Sequence, residues 1–126
     1  MWDLHIHTFF SSDGIYSPTE IYDLARQKGL KAISFTDHNE VKANYEGVSL
    51  ANRYNIKFVP GVEFNSFFEN RDVHILGYFI DYKSSLVENF IENIKVKKLN
   101  QTKQRTEKLQ ELGFCLTLDD VLAEAK

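Results

Sequence analysis

Cysteine is nearly missing from this chain of 126 residues. Cys115 stands alone, which excludes an internal disulfide and any metal site built from several thiolates. It reads as a buried small residue. Proline occurs twice, and Pro18 and Pro60 each fall at the edge of an element, where a missing N–H is tolerated. No run approaches the ~18 apolar residues of a membrane-spanning helix, so no membrane association is expected. The N-terminus opens on a polar, strand-like motif instead of a charged segment followed by an apolar one, and no secretory leader is read there. Together with the lone cysteine this predicts a reducing, cytoplasmic location. Internal repeats and low-complexity linkers are also missing.

What remains is ordinary globular material. Apolar residues make up 43% and charged residues 26%, so disorder is not the default. Ten Phe and six Tyr supply bulky core side chains, enough for one domain with a real core. The net charge of −3 hides an asymmetry. Residues 1–94 carry 8 basic and 13 acidic groups, whereas residues 95–126 carry 7 basic and 5 acidic. An acidic body suits cation binding, and a basic tail suits an anion.

In chain order, residues 2–7 read as a strand. Strand alternation puts Asp3, His5 and His7 on one face and Leu4 and Ile6 on the other. Ser17-Pro18-Thr19-Glu20 is a capping box with proline at the first helical position, opening a helix that stops near Gly29. Residues 31–36 form a second strand, ending in Asp37-His38-Asn39. Residues 41–54 form a second helix, with Val41, Tyr45, Val48, Leu50 and Ala51 as its apolar members. Residues 56–60 are a short strand closed by Pro60-Gly61. A further strand covers Val62-Glu63-Phe64, Asn70-Arg71-Asp72 is a hairpin tip, and residues 73–80 are an apolar strand. Strands alternating with helices imply parallel β-α-β units and an α/β fold. From residue 84 the pattern is helical to about Gly113, as one long helix or two. A second capping box at Thr117–Asp120 then opens a helix that runs on to Lys126.

All four histidines, His5, His7, His38 and His74, sit on predicted strands or just after them. A lone His-x-His in a strand has a plainer reading, a half-buried strand with hydrogen-bonded imidazoles. Asp13 and Glu63 change the picture, because in α/β folds working residues gather where strands end. Six potential nitrogen and oxygen ligands suit Zn, Mn or Fe better than Ca or Mg, which prefer oxygen alone. Glu63 could bridge two such ions, since a carboxylate offers two oxygens and a full charge. Divalent ions acidify bound water and neutralise phosphoryl oxygens, so attack on a phosphoester by a metal-bound hydroxide is the natural reaction.

These segments resemble the successive motifs of the polymerase-and-histidinol-phosphatase (PHP) family of metal-dependent phosphoesterases. The resemblance is carried by Asp-Leu-His-Ile-His-Thr at 3–8, Ser-Asp-Gly at 12–14, Thr-Asp-His at 36–38, Pro-Gly-Val-Glu at 60–63 and Val-His-Ile-Leu-Gly-Tyr-Phe at 73–79. It implies the N-terminal portion of a distorted (β/α)7 barrel with a helical insertion beginning near residue 84, so that residues 1–83 form the metal-binding half-barrel and 84–126 the insertion. By motif, His5, His7 and Glu63 would hold one divalent ion. Glu63 would bridge to a second ion, also held by His74, and Asp13 and His38 would hold a third. Glu63, His38 and Asp13 would then be the catalytic set. Asp37 either orients His38 or is an ordinary strand-end turn former, and Asp3 is a structural group or one that supports a ligand, not a ligand itself.

The implied substrates are phosphorylated small molecules, nucleotides or oligonucleotide ends. Histidinol phosphate, or a non-catalytic metal-binding module of a polymerase, are the alternatives. The family takes further ligands, an Asp and two His, from a C-terminal half that has no counterpart here, and no histidine follows His74. The chain therefore reads as a fragment, inactive or impaired alone. Exposed strand edges and apolar faces of a half-barrel would favour self-association. The basic stretch Lys95–Lys108 reads first as a solvated helix face, and second as a surface that steers phosphate. Phe9, Phe10 and Tyr16 are candidates for base stacking or for core packing.

Overall fold

A computed structural model describes residues 1–124. The chain divides into two compact units, Met1–Val87 and Glu88–Lys126. The first opens with β1 (Trp2–Ile6), α1 (Pro18–Gln27), β2 (Ala32–Phe35), α2 (Ala43–Tyr54) and β3 (Lys57–Phe58). These strands form a parallel sheet in the order β1-β2-β3, so α1 and α2 are the crossovers that β-α-β patterning predicts. A separate antiparallel hairpin follows, β4 (Gly61–Phe68) and β5 (Arg71–Tyr78).

Local chemistry explains where these elements start and stop. Ser17 Oγ accepts the Glu20 N–H, and Glu20 returns a carboxylate to the Ser17 N–H at 2.8 Å. Ser17→Ala is expected to lower stability by about 1 kcal/mol, read as a shift in urea midpoint with unchanged slope. Gly29, at φ 68°, closes α1, with the Leu30 N–H reaching back to the Ala25 carbonyl at 2.9 Å. The hairpin tip is shifted from its expected place. Glu69 and Asn70, both at positive φ, make the turn, and Arg71 and Asp72 are already paired in β5.

The core lies between α1, α2 and the parallel sheet. Tyr22, Ile33 and Phe35 are wholly buried there, alongside Ile21, Ala25, Leu30, Ala43 and Ile56. The Phe35 ring meets Phe58 at 5.0 Å and Tyr22 edge-on at 6.0 Å. The Tyr22 hydroxyl donates to the Gly47 carbonyl at 2.6 Å, and burial pushes its phenol well above the usual range. A Cβ at Gly47 would overlap the Phe58 ring, so glycine lets α2 approach the sheet. The buried face of α2 is Ala43, Asn44 and Gly47, while Tyr45 and Val48 turn outward. Apolar spacing therefore placed that face only in part: Val41 is buried and Leu50 packs against the core, but small and polar residues make the closest approach.

β1 and β3 are the sheet's edge strands among the described residues. Trp2, Leu4, Phe58, Val59 and Phe79 line an open groove of about 910 Å³ in this unit. The second unit contains most of α3 (Ser85–Glu111), a single 27-residue helix, and α4 (Leu118–Glu124). α4 starts on the expected box, with Asp120 Oδ2 accepting the Thr117 N–H at 2.7 Å. Its expected continuation to Lys126 lies outside the described residues. Cys115 is exposed instead of buried, because it falls in the irregular link between α3 and α4. No helix among the described residues is long and apolar enough to cross a membrane.

Candidate metal centre

His7 and Asp13 belong to the loop that follows β1. Asp13 comes back to His7 because the loop folds tightly at Gly14, where a Cβ would overlap the Thr8 carbonyl. His7 Nδ1 meets Asp13 Oδ2 at 2.8 Å, and Ser11 Oγ donates to Asp13 Oδ1 at 2.6 Å. His38 comes just after β2, with Nε2 3.4 Å from Asp13 Oδ2. Glu63 lies on β4 and is only 3% exposed. Its Oε2 receives His7 Nε2 at 2.7 Å and His5 Nε2 at 3.0 Å, while its Oε1 meets His74 Nδ1 at 3.0 Å. His74 reaches it from β5, where it pairs with Asn65, two residues along from Glu63 on the same hairpin face.

All six sequence-predicted residues thus meet at one place. They form three overlapping triads, His5–His7–Glu63, His7–Asp13–His38 and His38–Glu63–His74, and within each the ligand atoms lie within 4.8 Å of one another. Among the described residues, every ion pair made by Asp13 or Glu63 is to an imidazole. Asp3 stands apart. A register irregularity in β1 between Asp3 and Ile6 separates it from the histidine pair, and its carboxylate accepts the His5 N–H.

The donor set fits a divalent metal. His5 Nε2 and His7 Nε2 are 3.2 Å apart and share one carboxylate oxygen, a convergence of donor atoms that one cation can satisfy together. His38 Nδ1 is buried with no hydrogen-bond partner, an orphan that asks for a ligand. Imidazole and carboxylate together suit Zn²⁺, Mn²⁺ or Fe²⁺.

Without metal, protons hold these groups together. Burial alone would lower the pKa of His7, but Asp13 and Glu63 outweigh it and raise it above the ordinary value. Burial would raise Glu63, yet the hydrogen bonds from His5 and His7 and the charge of His38 keep it below the usual range. Asp13 likewise resists its burial, and Ser11 and His7 bring it down to about 2. The raised His7 stabilises the metal-free fold fully below pH 6.5 and less as pH climbs through its folded pKa. The lowered Asp13 acts at the other end, its contribution falling from near pH 4 toward about 2. Urea midpoints of the chelated protein are therefore expected to decline on both sides, with the alkaline decline missing in His7→Gln.

Three supporting residues were not singled out by sequence. Thr8 bonds to Asp37 through both its N–H and its hydroxyl. Asp37 therefore does not orient His38, as one reading of its position suggested; its carboxylate is occupied by Thr8. Burial pushes the Asp37 carboxyl up, against the opposing pull of those bonds. Asn44 binds both the N–H and the carbonyl of Gly61 at 2.9 Å, anchoring the start of β4. Asn39, at φ 49°, donates its N–H to the Glu63 carbonyl at 2.9 Å. An Asn after a strand-end Asp-His is the one sequence signal for that turn.

Residues 3–117 match the model of the PHP domain. The chain belongs to the PHP domain family. A 5'-3' exoribonuclease of Haemophilus influenzae is 27% identical to this PHP chain over 124 residues, covering 98% of the chain and 45% of the relative. A 3',5'-nucleoside bisphosphate phosphatase of Chromobacterium violaceum is 29% identical over 120 residues, 95% of the chain and 42% of the relative. A solved structure from Bifidobacterium adolescentis, assigned as a metal-dependent phosphoesterase, superposes with a TM-score of 0.79 at 30% identity, covering 99% of the chain and 43% of that structure. The PHP chain spans less than half the length of these proteins. Its mixed α/β fold matches that of the Bifidobacterium structure over nearly its whole extent.

Proposed function

We propose that this chain carries the first ligand cluster of a metal-dependent phosphoesterase acting on nucleotides or oligonucleotide ends. The observation that carries the reading is the set of three overlapping triads sharing His7, His38 and Glu63. His5, His7 and Glu63 would hold one divalent ion, Glu63 and His74 a second, and Asp13 and His38 a third. When bound, such ions activate water for attack on phosphorus and offset the charge on the phosphoryl oxygens. The chain's own residues supply the frame. Glu63, buried and anionic, balances positive charge from both sides of its carboxylate. Asp13 holds His7 by its Nδ1, which leaves Nε2 facing Glu63. His5 and His74 are half-exposed, so the cluster is open to a substrate phosphate on that side.

The choice of nucleotide substrates rests on the relatives, named for exoribonuclease and nucleoside bisphosphate phosphatase activity. Residues 1–83 are assigned to the metal-binding segment and 84–126 to the helical insertion. The test is a panel of a nucleoside 3',5'-bisphosphate, a 5'-phosphorylated oligoribonucleotide and histidinol phosphate, assayed on the full-length natural protein with added Mn²⁺ or Zn²⁺ and after chelation. Metal-dependent release of phosphate or mononucleotide from the first two supports the proposal. Tight metal uptake with no hydrolysis of any of the three would overturn it in favour of a binding module.

A further inference from the structure

The segments that carry His7, His38 and Glu63 are far apart in sequence, yet one residue touches all three. Asp37 precedes His38. Its carboxylate accepts the Thr8 N–H at 2.6 Å and the Thr8 hydroxyl at 2.8 Å, and Thr8 follows His7. Its carbonyl accepts the Glu63 N–H at 3.2 Å, part of the single bridge between His38 and Glu63. Thr8 is fully buried and Asp37 is 1% exposed. A buried carboxylate is costly, and apolar side chains could fill the same space at less cost. What an apolar pair cannot do is fix the backbone and side chain of Thr8 together against the end of β2. Metal ligands tolerate errors of only about 0.2 Å, so that fixation has a use here.

We propose that Thr8 and Asp37 are a positioning pair that sets the His7 imidazole against Glu63 and His38. The inference deepens the proposed function and rests on its reading of the cluster as a metal centre. It also sorts the ligands. His7 depends on the pair through Thr8. Among the described residues, His74 on β5 has no hydrogen bond to either member and meets Glu63 from the hairpin. Loosening the pair should therefore disturb the two triads containing His7 and spare His38–Glu63–His74.

Histidine ring ¹⁵N shifts of the metal-free protein test this directly, alongside calorimetric titration with Mn²⁺. In Thr8→Val, which keeps the shape and removes the hydroxyl, the His7 ring nitrogens are expected to move while those of His74 stay. Mn²⁺ affinity should fall about 10- to 100-fold, the usual effect of losing an outer partner. Thr8→Ser restores the hydroxyl and should restore both signals. Unmoved His7 nitrogens, equal displacement of His7 and His74, or failure of Thr8→Ser to restore them would each overturn the pair. Should Thr8→Val not fold, Asp37→Asn against Thr8→Ser decides by the same signals. If the unmodified protein takes up no Mn²⁺, the metal centre is overturned, while the ring signals still decide the pair.

Discussion

Glu63→Gln is expected to reduce phosphoester hydrolysis by about 10³-fold, equivalent to ~4 kcal/mol of transition-state stabilisation. The substitution keeps the shape and removes the charge. Glu63 is the residue toward which His5, His7, His38 and His74 all turn, and it is almost fully buried. Of those four rings, the cluster's other carboxylate, Asp13, meets only His7 and His38 among the described residues. Asp13→Asn should cost less, because the Asp13 side chain is 52% exposed and solvent screens its charge. The check is steady-state hydrolysis by the full-length natural protein at saturating Mn²⁺, with far-UV circular dichroism to show that the fold is kept. Glu63→Gln activity within tenfold of the parent would remove Glu63 from the centre of the proposal.

The largest expected effect on stability lies away from the site. Phe35→Ala should destabilise the protein by about 3–5 kcal/mol, since the lost contacts and the cavity both count. Phe35 is wholly buried in the centre of β2 and joins Tyr22 to Phe58. Phe58 packs closely against Gly47, so its collapse into the cavity would give up that contact. On a scale of 5–15 kcal/mol for a whole domain, that is a substantial fraction. Equilibrium urea unfolding measures it. A loss under 1 kcal/mol would show that the aromatic cluster is not the keystone of this core.

Both the order of the elements and the six-residue cluster were legible in the sequence, for a definite reason. Strand ends, capping boxes and ligand types are local signals, and the structure puts His5, His7, Asp13, His38, Glu63 and His74 where those signals meet. What escaped was set by tertiary contact. Asn44 is polar and Gly47 has no side chain, so hydrophobic spacing could not mark them as the inner face of α2. Thr8 looked like a trailing residue of the histidine motif, and only the approach of β2 gives its two donors a partner. Cys115 was misread because average burial says little about a residue in a link between helices. That the hairpin would form a sheet of its own also escaped, since Pro60-Gly61 marks where one strand ends but not whether the next pairs beside it.

That separation has a consequence for motion. The parallel sheet and the β4–β5 hairpin share no named strand pairing and meet at the His38–Glu63 bridge. Fraying at the hairpin tip, around Glu69 and Asn70, can come and go without disturbing the cluster. Any opening that parts the bridge, however, separates Glu63 and His74 from the other ligands in the same event. Amide exchange at Glu63 and Asn39, whose N–H groups span that seam, therefore reports the lifetime of the assembled site itself. A bound cation, by tying the two sheets together, would act as a rivet as well as a reagent.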